Sequence, residues 1–158
     1  MRTAGGGEQE KRRPLLPLVV LAWLLAGAVG VSAPAQAAPS ERVVYHINYD
    51  DPGRQEFALY SIQNHLRAVG VAKMDVRVVV HGRGVSLLQR AVDDYNLQAM
   101  VLNLRHQGVV FQVCGATLER HGLDHEDDLF EVDAREVVAN GVMALARLQA
   151  RGYQYIKP

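Results

Sequence analysis

Cysteine occurs once in this 158-residue chain, at Cys114. It stands between the apolar run Val109–Val113 and the small, polar Gly115-Ala116-Thr117. That pattern reads as the end of a buried strand followed by the start of a helix, where unpaired backbone N–H groups and the positive end of the helix dipole meet the side chain. Helix N-termini favour the thiolate, which is the nucleophilic form of cysteine. Gly115 leaves room for another chain or a sulfur-bearing ligand beside the backbone. The plainer alternative is a small apolar residue packing the edge of a sheet. With one cysteine, neither an internal disulfide nor a multi-cysteine zinc site can form within the chain. A dithiol redox cycle would need a partner's thiol.

Three further strand ends belong to the same class of position, at Asn48 to Asp51, His81 to Gly84 and Ala139-Asn140. His81 ends the apolar run Asp75–Val80 and opens the turn Gly82-Arg83-Gly84. It can assist a thiolate or donate to a substrate, or alternatively bond the backbone of its own turn. Asn48 follows the run Val43–Ile47 and is a further polar pocket candidate, with Gly82, Gly84 and Gly115 as glycines of the pocket wall. Gly82-Arg83-Gly84 resembles the opening of a dinucleotide fingerprint, but Leu87 replaces its third glycine and no acidic residue follows where the ribose would be held. Asp50-Asp51 could hold magnesium after a first strand, yet Asp51-Pro52 is better explained as a helix N-cap with proline at the first helical position. His121 and His125 stand among Asp124, Glu126, Asp127 and Asp128, but Gly122 breaks any common helical face, so a solvated acidic loop is expected and no metal. His65 and His106 are expected on exposed helix surface. No cofactor site is complete.

The elements that must position these residues follow from periodicity. Strands are expected at 43–47, 75–80, 109–113, 137–139 and 153–156, each short, apolar and rich in β-branched residues. Between them Phe57, Ala58, Ile62, Leu66 and Val69 predict a helix over 54–69, closed by Gly70. Helical pieces follow over 85–92 and up to His106, a short one after Cys114, and one over 141–151, capped by Asn140, with Val142, Leu145 and Leu148 on its buried face. The stretch from Asp124 to Asp133 is expected as an exposed loop. Strands alternating with helices, nearly continuous in apolar character, predict an α/β fold: a three-layer α/β/α sandwich around a mainly parallel sheet of about five strands. In such sheets ligands bind beyond the carboxyl ends of the strands. Asn48, His81 and Cys114 all occupy such ends.

The N-terminal stretch has another purpose. Arg2, Lys11, Arg12 and Arg13 precede an apolar run from Leu15 to Val31 and the small-residue stretch ending Ala35-Gln36-Ala37, which is the order of a secretory signal peptide over residues 1–37. The run is shorter than the roughly 20 residues of a membrane span, and no cysteine near the cleavage region offers a lipid anchor. Arg12-Arg13 leaves both general and twin-arginine export open. Residues 1–37 hold four of the 17 cations and two of the 17 anions, so residues 38–158 carry 13 against 15 and are mildly acidic. A nucleic-acid partner is not expected. Membrane contact is expected only through the export signal, and the location is expected to be periplasmic.

Val43 to Asp51, His81 to Leu88, Cys114 to Leu118 and Gly141 to Pro158 together resemble the DsrE/DsrF-like family, across almost all of residues 38–158 and closest to its exported single-domain members. The resemblance implies an α/β/α sandwich that forms homo-oligomers. In sulfur-relay members a cysteine after strand three carries sulfane sulfur as a persulfide, and Cys114 matches that position. The function expected is therefore a periplasmic sulfur-relay protein that takes sulfur from a donor protein or small persulfide and gives it to an acceptor thiol. The competing expectation is a non-catalytic binding or assembly module in which Cys114 only packs.

Overall fold

The computed structural model describes residues 41–158, so the expected signal peptide lies outside the described residues. Strand β1 (Glu41–Ile47) buries Val43 to Ile47 without interruption. The chain then turns into helix α1 (Pro52–Val69), where Asp51 accepts from the Arg54 N–H at 2.8 Å and Pro52 opens the helix. The N-cap reading of Asp51 is thus the one the fold uses. Gly70 ends α1 at φ 99°, its N–H donating to the Leu66 carbonyl. The buried stripe of α1 is Gln55, Ala58, Leu59, Ile62 and Leu66. Phe57, expected on that face, is 64% exposed, because two residues from Gln55 is about 200° around a helix. Gln55 is buried instead; its amide donates to the Tyr49 carbonyl and Ser86 Oγ, tying the end of β1 to the segment after β2.

Strand β2 (Met74–Val80) leads through a 3-10 turn, Gly82–Val85, into the short helix α2 (Ser86–Arg90) and then α3 (Tyr95–His106), capped by Asp94. Strand β3 (Val110–Cys114) begins one residue later than expected, so Cys114 is its last residue. Helix α4 (Gly115–His121) follows at once. The acidic segment beyond it is only partly the free loop expected. Leu129 and Val132 are buried in the core, and the Phe130 N–H donates to the Leu88 carbonyl. A further 3-10 turn, Ala134–Glu136, carries a reciprocal Asp133/Glu136 capping box into β4 (Val137–Val138). Helix α5 (Gly141–Ala150), capped by Asn140, and strand β5 (Gln154–Ile156) complete the chain.

The described residues form a five-stranded sheet, all parallel, in the order β4-β3-β2-β1-β5. From β1 to β4 the chain steps steadily one way, and right-handed crossovers then put α1 and α3 on one face. There Val43, Tyr45, Ile47, Val76, Val78, Val80, Phe111 and Val113 pack with Leu59, Ile62, Leu97, Val101 and Leu104. The last crossover runs back over the sheet from β4 to β5, so α5 lies on the opposite face, where Leu145, Leu148 and Tyr153 cover Val44 and Val79. The three layers are therefore unequal. A ten-residue helix spans roughly 15 Å, too short to cover the whole face. Its buried residues are Gly141, Leu145 and Leu148; Val142, expected among them, is 61% exposed. A glycine at the contact brings the start of α5 down against the strand ends.

Candidate functional site

Parallel strands bring their carboxyl ends to one edge, and alternation decides which side chains face α5. Val44 and Val79 face α5, so His46, two residues after Val44, and His81, two after Val79, share that face. Val113 belongs to the opposite core, so Cys114 turns toward α5 as well. Val80 pairs with Val113 in register, which places His81 beside Cys114 at the next step along the two strands. Gly141 fits between them. A Cβ there would lie 2.8 Å from His81 Cβ and 3.2 Å from Cys114 Cβ, so only glycine lets α5 begin at this point without displacing one or the other.

Cys114 is 5% exposed and has extended backbone at φ −76°, ψ 111°, as the N-cap residue of α4. Its side chain makes no capping hydrogen bond. The amides after it do not all serve the sulfur, as the sequence suggested, since the Ala116 N–H donates to the Ala139 carbonyl at 3.3 Å. A cleft of about 410 Å³ opens beside the sulfur, lined among others by His81, Gly82, Arg83, Cys114, Thr117, Arg120, His121 and Asn140. Among the described residues no Asp or Glu lines it. Among the described residues Arg83 pairs only with the exposed Asp50, at 3.7 Å, and Arg120 and His121 make no ion pair. The mouth is therefore cationic on a domain of slightly acidic sequence.

Of the candidates named from sequence, Cys114, His81 and Gly82 come together in this cleft. Gly82 takes φ 54°, and its N–H donates to Thr117 Oγ1 at 2.9 Å, joining the turn after β2 to α4. Gly84, Gly115 and Asn48 do not line the cleft. Gly84 lies against the end of β1, where a Cβ would stand 2.2 Å from the Ile47 carbonyl oxygen and 2.9 Å from Asn48 Cα. Gly115 lies under β4, its Cβ position 3.3 Å from the Val138 carbonyl oxygen. Asn48 follows β1, which β2 separates from the strand that carries Cys114, and lies behind the turn that holds Gly84.

The imidazole of His81 does not bond its own turn. Its Nε2 meets Nε2 of His46 at 2.7 Å, the two ring planes inclined by 18° with centroids 4.7 Å apart, and His46 Nδ1 meets the Tyr155 hydroxyl at 2.6 Å. An Nε2–Nε2 contact requires one ring to donate and the other to accept. Burial, the neighbouring His81 and Lys157 push His46 down to about 4, and burial with Lys157 also lowers His81. Both shifts favour the neutral imidazoles. His46 and Tyr155 were missed from sequence, although a histidine inside the otherwise apolar Val43–Ile47 was the available signal. A second histidine departs from expectation: His65 is half-buried, bonded to the Tyr45 hydroxyl at 2.9 Å and 3.3 Å from Glu41, whereas His106 is exposed as expected. Among the described residues no group of three or more His, Cys, Asp or Glu is arranged to hold a metal.

The sequence model of the DsrE/DsrF-like family matches residues 42–158. Among solved structures, MTH1491 from Methanobacterium thermoautotrophicum, described as a protein of unknown function, is 36% identical, with a TM-score of 0.65, over 75% of this chain and 99% of that one. The ychN protein from E. coli superposes with a TM-score of 0.56 at 19% identity, over 75% of this chain and 99% of its own, a likeness of fold. Among curated proteins no sequence matches.

Proposed function

The chain belongs to the DsrE/DsrF-like family, and from that premise we propose that it is a sulfur carrier which holds sulfane sulfur as a persulfide on Cys114. The observation that carries this reading is the position of the chain's one cysteine, at the carboxyl end of β3 in a cleft with a cationic mouth and no acidic wall. Persulfides and polysulfides approach as anions, and Arg83 and Arg120 at the rim favour them electrostatically. Thiolate attack by Cys114 on the outer sulfur of a donor R–S–SH forms one S–S bond as the donor's own S–S bond breaks. The departing R–S⁻ keeps the bonding pair and receives the proton given up by the Cys114 thiol, leaving R–SH and Cys114–S–SH with no outside oxidant. Delivery to an acceptor thiol is the same exchange in reverse. Donor and acceptor are small persulfides or partner proteins.

The carrier is proposed to act in the periplasm after removal of residues 1–37, and as a homo-oligomer. The incompletely covered face beside α5, with Val142 and Met143 exposed, supports self-association. Polysulfide treatment of the protein, read by intact mass, tests the chemistry. A reversible gain of about 32 Da, lost with reductant, is expected.

A second reading has one observation in its favour. Cys114 is 5% exposed, as a packing residue in a non-catalytic binding or assembly module would be. Native alkylation separates the two: a sulfur carrier reacts folded, whereas a packing residue reacts only after denaturation and gains no mass from polysulfide.

A further inference from the structure

A donor seated in the cleft closes the direct path by which the proton of a nearly buried thiol would reach water. The wall behind the cleft offers another path. His81 lines the cleft beside Cys114, and its Nε2 is committed to His46, leaving Nδ1 as the ring nitrogen without a protein partner among the described residues. His46 is 7% exposed and bridges His81 to the hydroxyl of Tyr155, which stands on β5 and is 42% exposed. Both bridging distances, 2.7 and 2.6 Å, are short enough for proton transfer.

Resting on the carrier reading, we propose that His81, His46 and Tyr155 form a proton relay that joins the Cys114 cleft to solvent at the opposite edge of the sheet. A proton arriving at His81 Nδ1 releases the one on Nε2 to His46 Nε2. His46 in turn releases its Nδ1 proton to the Tyr155 oxygen, and the tyrosine proton passes to water. Every group gains one proton and loses one, so no ring is charged at the end and the two tautomers are exchanged. The reverse sequence returns a proton to the departing thiolate. The surroundings favour passage over storage. From β5 Tyr155 bonds His46, and the cation Lys157 just beyond that strand acts on both rings; Cys114, Arg83, Arg120 and His121 line the same cleft as His81, and Gly141 of α5 lies against it. No carboxylate among these holds a second proton on the pair.

The test compares wild type with His46→Gln and Tyr155→Phe, two variants that keep size and remove proton transfer, after their urea midpoints show both are folded. The rate of mass gain from polysulfide is followed in H₂O and D₂O. A functioning relay predicts slowing of roughly tenfold in each variant, below the hundredfold or more of a direct acid or base because water substitutes in part. It also predicts a solvent isotope effect in wild type that changes in both variants, which loss of packing alone would not produce. Equal rates and equal isotope effects in all three proteins overturn the relay and leave the carrier standing. If polysulfide leaves the wild-type mass unchanged, the carrier reading falls, and the same comparison with iodoacetamide, which needs only the thiol, decides the relay. A thiol inert to both reagents overturns both.

Discussion

Cys114 and the His46–His81 pair set the behaviour expected of single residues. Cys114→Ser should abolish the mass gain from polysulfide while preserving the fold, because serine is nearly isosteric but forms no persulfide; intact mass with circular dichroism checks it. His46 carries a pH dependence whose sign is set by its neutral folded state. Its value falls from 6.5 to about 4 through burial, His81 and Lys157, so the unfolded chain binds the proton first. Stability is therefore fully present above 6.5 and declines as pH falls toward 4. The upper bound of this contribution is about 3 kcal/mol, from 1.36 kcal/mol per pH unit. Urea midpoints measured at pH 7.5 and 4.5 should differ less in His46→Gln than in wild type.

At the scale of elements, two close glycine contacts separate support of the fold from shaping of the site. Gly84 holds the turn after β2 against β1, with its Cβ position 2.2 Å from a backbone oxygen that no rotamer change can move. Gly84→Ala should lower stability by roughly 1–3 kcal/mol, the usual cost of overpacking, while the folded fraction keeps its thiol reactivity. Gly141 meets side chains instead, His81 and Cys114, at 2.8 and 3.2 Å. Gly141→Ala should therefore change the rate of Cys114 alkylation even where the urea midpoint moves little. Asn140 caps α5 by accepting from the Met143 N–H at 3.1 Å, and Asn140→Ala should cost about 1 kcal/mol. Parallel denaturation and alkylation measurements on the three variants check the distinction.

For the whole molecule the sheet order has a direct consequence. Because β5 returns to pair with β1, the last strand completes both the sheet edge and the Tyr155–His46 contact. Truncation before Tyr153 should expose Val44 on the α5 face and loosen His46, seen as a lower thermal midpoint together with altered histidine NMR shifts. Protein recovered from the periplasm should lack residues 1–37; an intact mass that retains them would contradict processing. A sedimentation profile confined to monomer at working concentration would remove self-association.

The sequence by itself determined the parallel α/β class, the extents of its elements to within a residue or two, the Asp51 and Asn140 caps and the placing of Cys114 where a strand passes into a helix. These depend on local periodicity and on what each backbone end must bond. Lateral relations are different in kind. The order β4-β3-β2-β1-β5 brings His46, His81 and Cys114 to the ends of three adjacent strands and Tyr155 beside them, and separations of 35 and 109 residues leave no periodic trace of such pairs. Asn48 and His81 end strands in equivalent ways, yet only His81 reaches the cleft, because the turn carrying Gly84 lies over the end of β1. Phe57 and Val142 turned outward for a related reason. Hydrophobicity alone marks a residue as fit for burial, while the position of the facing layer decides whether Gln55 or Gly141 occupies the contact instead.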